Sequence, residues 1–354
     1  MTERKHYLDN IRWATVLLVM VYHVCYIFND VGILGGIPSG KNIPALDTAA
    51  SVVYPWFMVL LFAVSGISAR YSLQRRTPKQ FLRERAQKLL VPSTLGLFVI
   101  HWVTGYLNIK LGGGLEYIPA PLVYPIAAIS GTGPLWFIQM LFLFSCVLVL
   151  LRKLDKDDKL WTFCGKAPVW VVLLLFLVLW GGAQVLNLPV LTMYRFGIYL
   201  AAFLIGYLVL SHDEVLEAVE RLRIPLLMGA TAGAVGFGIY YRGTNFTTPE
   251  CLQGFFTNLY AWAAVLAILG CFKRYCNAET PFTRYMTKSS FGFYILHYPA
   301  LMAAAYLLCT YTDLPAGWNY LLTLAAEAVL TFGLYEGIRR IPVIRYLVLG
   351  MKKQ

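Results

Sequence analysis

Ten long apolar runs divide the chain, near residues 9–28, 49–70, 89–109, 134–151, 168–186, 190–210, 224–241, 255–273, 290–310 and 318–338. A helix rises about 1.5 Å per residue, so roughly 20 apolar residues cross the ~30 Å hydrocarbon layer of a bilayer. Polar or turn-forming residues separate the runs. The pattern predicts an all-α polytopic membrane protein with about ten transmembrane helices. Pro55 blurs the start of the second helix. A short turn around Asn187 and Pro189 divides the fifth from the sixth. Residues 1–354 read as a single transmembrane domain, with no soluble appendage and no clear internal repeat. The first run is long enough to span and Arg12 interrupts its start, so it reads as a retained helix and not a cleaved signal peptide.

Loop charge orients this pattern. With a cytoplasmic N-terminus, 25 of the 30 Lys and Arg residues fall on the inner side, in the termini and the even-numbered connections. Lys41, Lys110 and Arg242 fall outside, and Arg12 and Arg195 lie within predicted helices. Short cytoplasmic loops carry the excess of basic residues, so both termini are expected in the cytoplasm. Two outer connections, 29–48 and 110–133, are long and rich in Gly and Pro, long enough to cover an outward-facing site.

Composition agrees. Hydrophobic residues make up 58% of the chain and charged residues 14%. Soluble domains average about 25% charged residues. A soluble globular protein is excluded. The net charge of +12 follows from the inner loops and does not call for nucleic acid. Seven cysteines form no CxxC pair and accompany no histidine cluster, so neither a disulfide framework nor a metal site is expected. They read as buried structural residues.

The inner stretch "TPKQFLRERAQKLLVP" predicts a short amphipathic cytoplasmic helix near 78–91. Thr77 can cap it and Pro78 suits its first position. Phe81, Leu82, Leu89 and Leu90 give an apolar side, and Arg83, Arg85 and Lys88 a basic one. Headgroup anchoring and an anion site for a polyphosphate ligand both fit this arrangement.

An ionisable side chain at the bilayer centre costs roughly 2.5–3.5 kcal/mol on insertion scales, so the few within the apolar runs draw attention. They are Arg12, His23, His101, Arg195, His297, Glu327 and Glu336. Eleven helical steps separate Arg12 from His23, three turns plus roughly 20°, so the two share one face with a rise of roughly 16 Å. Arg12 then sits near the inner edge and His23 beyond the midplane. Asp30 projects near the same face and is a candidate to orient the imidazole. Taken singly, Arg12 also reads as snorkelling to headgroups, and His23, His101 and His297 as packed core histidines. Glu327 needs a partner, for which Arg195 or a histidine is the natural candidate. Trp136 and Gln139 suit a sugar-like pocket, although Trp136 equally suits an interfacial aromatic belt.

These residues resemble the integral-membrane acyltransferase family 3, which O-acylates cell-surface glycans and related acceptors. The family's first helix opens with an LDxxR-type start and places a histidine after ten further residues. Here the stretch reads "LDNIRWATVLLVMVYH", with Arg12 and His23 in register. "LFAVSGISARYSL" is similar to its second-helix SG segment, with Ser65 and Gly66. "RAQKLLVP" resembles its RxxR element before a proline, with Arg85, Lys88 and Pro92. Lysine there keeps the charge but loses the bidentate fork. "GPLWFIQMLFLF" and "SFGFYILHYPAL", the latter with His297, are similar to its middle and late segments. The motifs run from Leu8 to about residue 300, and the predicted helix count agrees with the family's ten-helix domain.

The resemblance implies an acyl-CoA co-substrate, acetyl-CoA first and succinyl-CoA second, used from the cytoplasm of a bacterial inner (plasma) membrane. The acceptor would be a hydroxyl of a cell-surface glycan or related molecule. Arg12, Arg70, Arg75, Arg76, Arg85 and Lys88 would meet the CoA phosphates. His23 would act as general base, or carry the acyl group covalently. Glu327 or Asp30 would orient it. Trp136, Gln139, Arg195 and His297 are candidates to bind the acceptor, with Arg195 or Gln139 steadying the oxyanion or the sugar. A secondary transporter of an anionic or sugar-like solute is the main alternative from another class, and a catalytically silent scaffold or sensor is a third.

Overall fold

The computed structural model of the protein describes residues 4–33, 35–37, 41–188 and 191–352. Pro189 and Lys353, expected from sequence in a turn and an inner tail, lie outside the described residues. Among the described residues the chain is helical and contains no strand. In chain order, α1 is His6–Ile27, α2 Pro44–Gln74, α3 Pro78–Leu111, α4 Ala120–Ser130 and α5 Trp136–Leu154. Then come α6 (Lys159–Cys164), α7 (Val169–Ala183), α8 (Phe196–Leu208), α9 (Asp213–Arg221) and α10 (Arg223–Tyr240). The last four are α11 (Phe255–Tyr275), α12 (Pro281–Tyr311), α13 (Ala316–Ile338) and α14 (Pro342–Leu349).

Each of the ten apolar runs forms a helix. Among the described residues, seven helices are long and apolar enough to cross a membrane, or up to eight when the bent pair α8–α9 is taken as one span. The protein is an all-α polytopic membrane protein. The differences from ten full spans have local causes. The fifth run gives the short α7, which breaks at Leu175. The sixth begins only at Phe196, because Leu188 donates to the Tyr194 carbonyl and Phe196 to that of Leu186, turning the preceding residues back on themselves. Its helix then bends by 106° into α9. The first turn of α9 carries Asp213 and Glu214, where the helix dipole favours them.

The expected amphipathic helix at 78–91 forms the first part of α3. Thr77 and Gln80 cap it reciprocally. The Gln80 N–H donates to Thr77 Oγ1 at 3.3 Å, and the Thr77 N–H to Gln80 Oε1 at 3.0 Å. Two π-helical turns, Ala86–Leu90 and Leu97–His101, interrupt α3.

The chain comprises two compact units interleaved along the sequence. The first is Met1–Thr15, Thr48–Leu82 and Leu143–Thr287. Its close packing rests on small residues. A Cβ on Gly66 of α2 would overlap the Phe203 carbonyl of α8, and one on Gly206 would overlap that of Ala63. In lipid, where van der Waals contact drives helix association, such residues let backbones touch.

The second unit is Val16–Asp47, Arg83–Phe142 and Lys288–Gln354. Its core joins Val24, Ile27 and Phe28 of the α1 region to Leu301, Met302 and Ala305 of α12 and Tyr320 of α13. On α13 the usual amphipathicity is reversed. Val329 is 71% exposed and Phe332 52%, whereas the buried positions between them and Tyr320 are polar. Apolar residues facing outward are what a bilayer solvent selects.

Candidate active site

The second unit brings two histidines together. On α12, Tyr294, His297, Tyr298 and Leu301 follow the i, i+3, i+4, i+7 spacing of one helix face. That face meets the second half of α1. His297 is fully buried and His23 is partly accessible. His297 Nδ1 lies 2.7 Å from the Tyr294 carbonyl, and His297 Nε2 lies 3.2 Å from His23 Nδ1. His23 Nδ1 is also 2.9 Å from the Val19 carbonyl.

The proton positions follow from these partners. A carbonyl only accepts, so His297 Nδ1 carries hydrogen and its Nε2 holds a lone pair. His23 Nδ1 faces two acceptors, the Val19 oxygen and that lone pair, so it too carries hydrogen. The remaining nitrogen, His23 Nε2, is then the basic one. Tyr22, Tyr26 and Tyr298 place their rings 5.2, 6.0 and 5.1 Å from the His23 ring, holding it on several sides.

Other expected partners of this imidazole lie elsewhere. Helix α1 ends at Ile27, so the helical projection that put Asp30 on the His23 face does not extend that far, and Asp30 is exposed. His297 occupies the orienting position instead. Glu327 is fully buried on α13, and neither carboxyl oxygen has a hydrogen-bond partner among the described residues. Arg195, expected from sequence as its partner, precedes α8 and does not sit within it. Arg195 donates to the Leu252 carbonyl at 2.8 Å and lies over the Tyr199 ring. His101 ends the second π-helical turn, buried, with neither ring nitrogen hydrogen-bonded among the described residues. Such turns recur at functional sites, and this one was not legible in the pattern of apolar residues.

Trp136 and Gln139 open α5. The Gln139 amide donates to the Ser93 carbonyl at 3.0 Å, tying α5 to α3. Trp136 is partly exposed and meets Phe137 edge-on.

The basic residues divide into two kinds. Arg12 lies in the first unit and donates to Asp9 Oδ1 at 2.7 Å and to Ser68 of α2, with its side chain 36% exposed. It is held but not enclosed. Ser68, which sequence reasoning missed, lies just after the Ser65–Gly66 pair. Arg70 is 5% exposed. It donates to Asp158 at 2.8 Å and lies 3.9 Å over the Trp161 ring. Desolvation strengthens a cation–π contact of this kind. His212 also stacks on Trp161, at 3.9 Å. Burial holds the His212 imidazole below its usual range, against a hydrogen bond with the Trp161 carbonyl that favours the proton. Arg75 and Lys88 are the more exposed of the remaining cations, and Arg76 and Arg85 are half-buried. No group of three or more metal-ligating side chains occurs among the described residues.

A hydrogen-bonded imidazole pair, His23 and His297, thus sits in an all-helical polytopic membrane fold. The family model described as an acyltransferase domain, that of acyltransferase family 3, matches residues 5–335, and the chain belongs to this family. The protein is therefore a membrane acyltransferase. No curated protein and no solved structure matches the chain.

Proposed function

We propose that the protein moves an acyl group, acetyl or alternatively succinyl, from cytoplasmic acyl-CoA to a hydroxyl of a cell-surface glycan or related acceptor, with His23 as general base. The observation that carries this reading is the hydrogen-bonded pair His23–His297, which leaves Nε2 as the basic nitrogen of a partly accessible His23. Nε2 takes the hydroxyl proton as the oxygen attacks the thioester carbonyl. The tetrahedral intermediate collapses, the C–S bond breaks, and the imidazolium returns a proton to the departing thiolate. His297 accepts from His23 Nδ1–H and so stabilises the imidazolium as it forms, the role a carboxylate plays in other bases.

The donor's phosphates suit Arg12, Arg75, Arg76, Arg85 and Lys88. Arg70 is already engaged by Asp158 and Trp161, so its part is to shape this region. Arg12 and His23 share one uninterrupted helix, α1. Eleven residues of helix give a rise of roughly 16 Å between them. A pantetheine arm is long and thin enough to cover that interval. Trp136 and Gln139 are proposed to meet the acceptor.

The test supplies purified protein with labelled acetyl-CoA and a panel of hydroxyl-bearing glycans, with His23→Ala alongside. Transfer by the native protein and none by the variant is expected. Undiminished transfer by His23→Ala would remove the base assigned here. Label retained on the protein without acceptor would replace the general-base route with an acyl-histidine.

A further inference from the structure

The inward side of α13 carries a feature the reaction above does not use. Asn319, Thr323, Glu327 and Thr331 recur every fourth residue, forming one ridge of the helix. Each is at most 1% exposed. Asn319 Oδ1, Thr323 Oγ1, both Glu327 oxygens and Thr331 Oγ1 all lack a hydrogen-bond partner among the described residues. Native interiors pair nearly all buried polar atoms, and five orphans on one ridge are not a scatter of exceptions.

The ridge faces α12. At one end the Asn319 amide donates to Cys309 Sγ at 3.4 Å. At the other, Tyr335 packs on Phe293, and Gly292 leaves room for its ring. The antiparallel register these contacts set puts Thr323 level with Ala304 and Ala305, and Glu327 level with Ala300 and Leu301. Thr331 falls level with Leu296 and His297. Helix α12 offers alanines, Ala304, Ala305 and Ala300, opposite Thr323 and Glu327, and the larger Leu296 and His297 opposite Thr331. It also contains Pro299, which has no N–H for the Ile295 carbonyl. The ionisable groups of α12 at these levels are Tyr294, His297 and Tyr298, and none bonds Glu327.

We propose that this ridge of α13 lines a water-filled proton path running from Asn319 to the level of His297, with Glu327 as its exchange group. Every orphaned atom is an oxygen able to accept from water, and successive ridge positions are about 6 Å apart, a spacing that one bridging water spans. In the reaction, the proton lost by the hydroxyl and the proton gained by the thiolate need not be the same one. The path gives the histidine pair a route to restore its protonation. That use rests on the function proposed above, whereas the path itself does not.

The test reads proton exchange in the full-length protein, reconstituted in nanodiscs without substrate. Infrared difference spectra in H2O and D2O are recorded for the native protein and for Glu327→Gln, which assigns the Glu327 band. Glu327→Asp assigns it by its shift if the amide does not fold. A carboxyl band that shifts in D2O within the mixing time is expected. An ionised carboxylate, which needs solvating water, also supports the path. A protonated carboxyl unchanged in D2O after hours would overturn it. Thr323→Val and Thr331→Val keep the side-chain shape and remove the hydroxyls. They should slow the exchange at least ten-fold, and an unchanged rate would overturn the ridge as the route. Acyl transfer is not part of this readout, so its absence would count against the proposed function alone.

Discussion

His297 shares His23 Nδ1 with the Val19 carbonyl, and the two together leave His23 Nε2 as the basic nitrogen. The Nε2 of His297 stands 3.2 Å from His23 Nδ1, and its own Nδ1 is committed to the Tyr294 carbonyl at 2.7 Å. Replacing His297 with Leu removes the imidazole acceptor, leaves the Val19 carbonyl at 2.9 Å, and keeps an apolar bulk in a fully buried position. Groups that orient a functional imidazole through its other nitrogen are typically worth roughly 10–100-fold in activity. His297→Leu should lower kcat by that factor with little change in KM for the acceptor. His297→Gln, whose Oε1 can accept from Nδ1–H, should recover part of the loss. Equal loss in both variants would mean that His297 only fills space.

Arg12 and Arg70 should behave differently although both were expected to meet the donor's phosphates. Arg12 keeps part of its surface open beyond its bonds to Asp9 and Ser68. Arg12→Ala should weaken CoA binding at least ten-fold by calorimetry. Arg12→Lys should fall between, since it keeps charge without the fork. Arg70→Met instead removes the 2.8 Å hydrogen bond to Asp158, leaving it Arg152 at 4.0 Å, and takes the guanidinium off Trp161. Losing one partner of a buried hydrogen bond costs about 1–3 kcal/mol. Its signature should be a lower Tm, with a smaller change in CoA affinity than Arg12→Ala produces.

Much of this arrangement was legible in the residues, and the gaps have physical reasons. Each apolar run corresponds to a helix, because spanning a bilayer takes a long apolar segment, whereas α4, α6, α9 and α14 fall in stretches read as connections or tail. The Arg12–His23 spacing survives because α1 is unbroken. The projection that put Asp30 on the His23 face assumed helix beyond Ile27, where α1 ends and its periodicity stops. Arg195, placed within a helix by the apolar run, instead precedes α8 and donates to the Leu252 carbonyl. Arg70 looked like every other inner-loop arginine, and only the fold brings Trp161 and Asp158 to it. The α13 ridge was visible in principle as a four-residue period. Counting ionisable groups singled out Glu327 and passed over Asn319, Thr323 and Thr331, whose polarity is milder.

His212 should give stability a pH dependence. Burial holds its pKa below 6.5 in the folded protein. Well above 6.5 the imidazole is neutral in both folded and unfolded chains and contributes no slope. Below it the unfolded chain takes the proton first, so stability falls as pH drops toward the folded value. Tm measured between about pH 7.5 and 5 should therefore decline more steeply in the native protein than in His212→Gln, which cannot titrate. Parallel curves would show that this stack does not set the acid limb.

Gly66 should tolerate no side chain. It sits where α2 and α8 touch, and a methyl group there would overlap the Phe203 carbonyl and press on the Tyr207 amide, both of them backbone. Backbone cannot rotate away as a flexible side chain can, so α2 and α8 must separate. Overpacking of this kind costs about 1–3 kcal/mol. The displaced stretch carries Ser68, the partner of Arg12, so donor affinity should fall together with Tm. Gly317→Ala is the control, at a helical glycine with no atom within 4 Å of a built Cβ. Alanine there should leave Tm unchanged or raise it slightly, since it is the better helix former. If Gly66→Ala melts at the native temperature and binds CoA normally, the close contact of α2 with α8 is not what holds Arg12 in place.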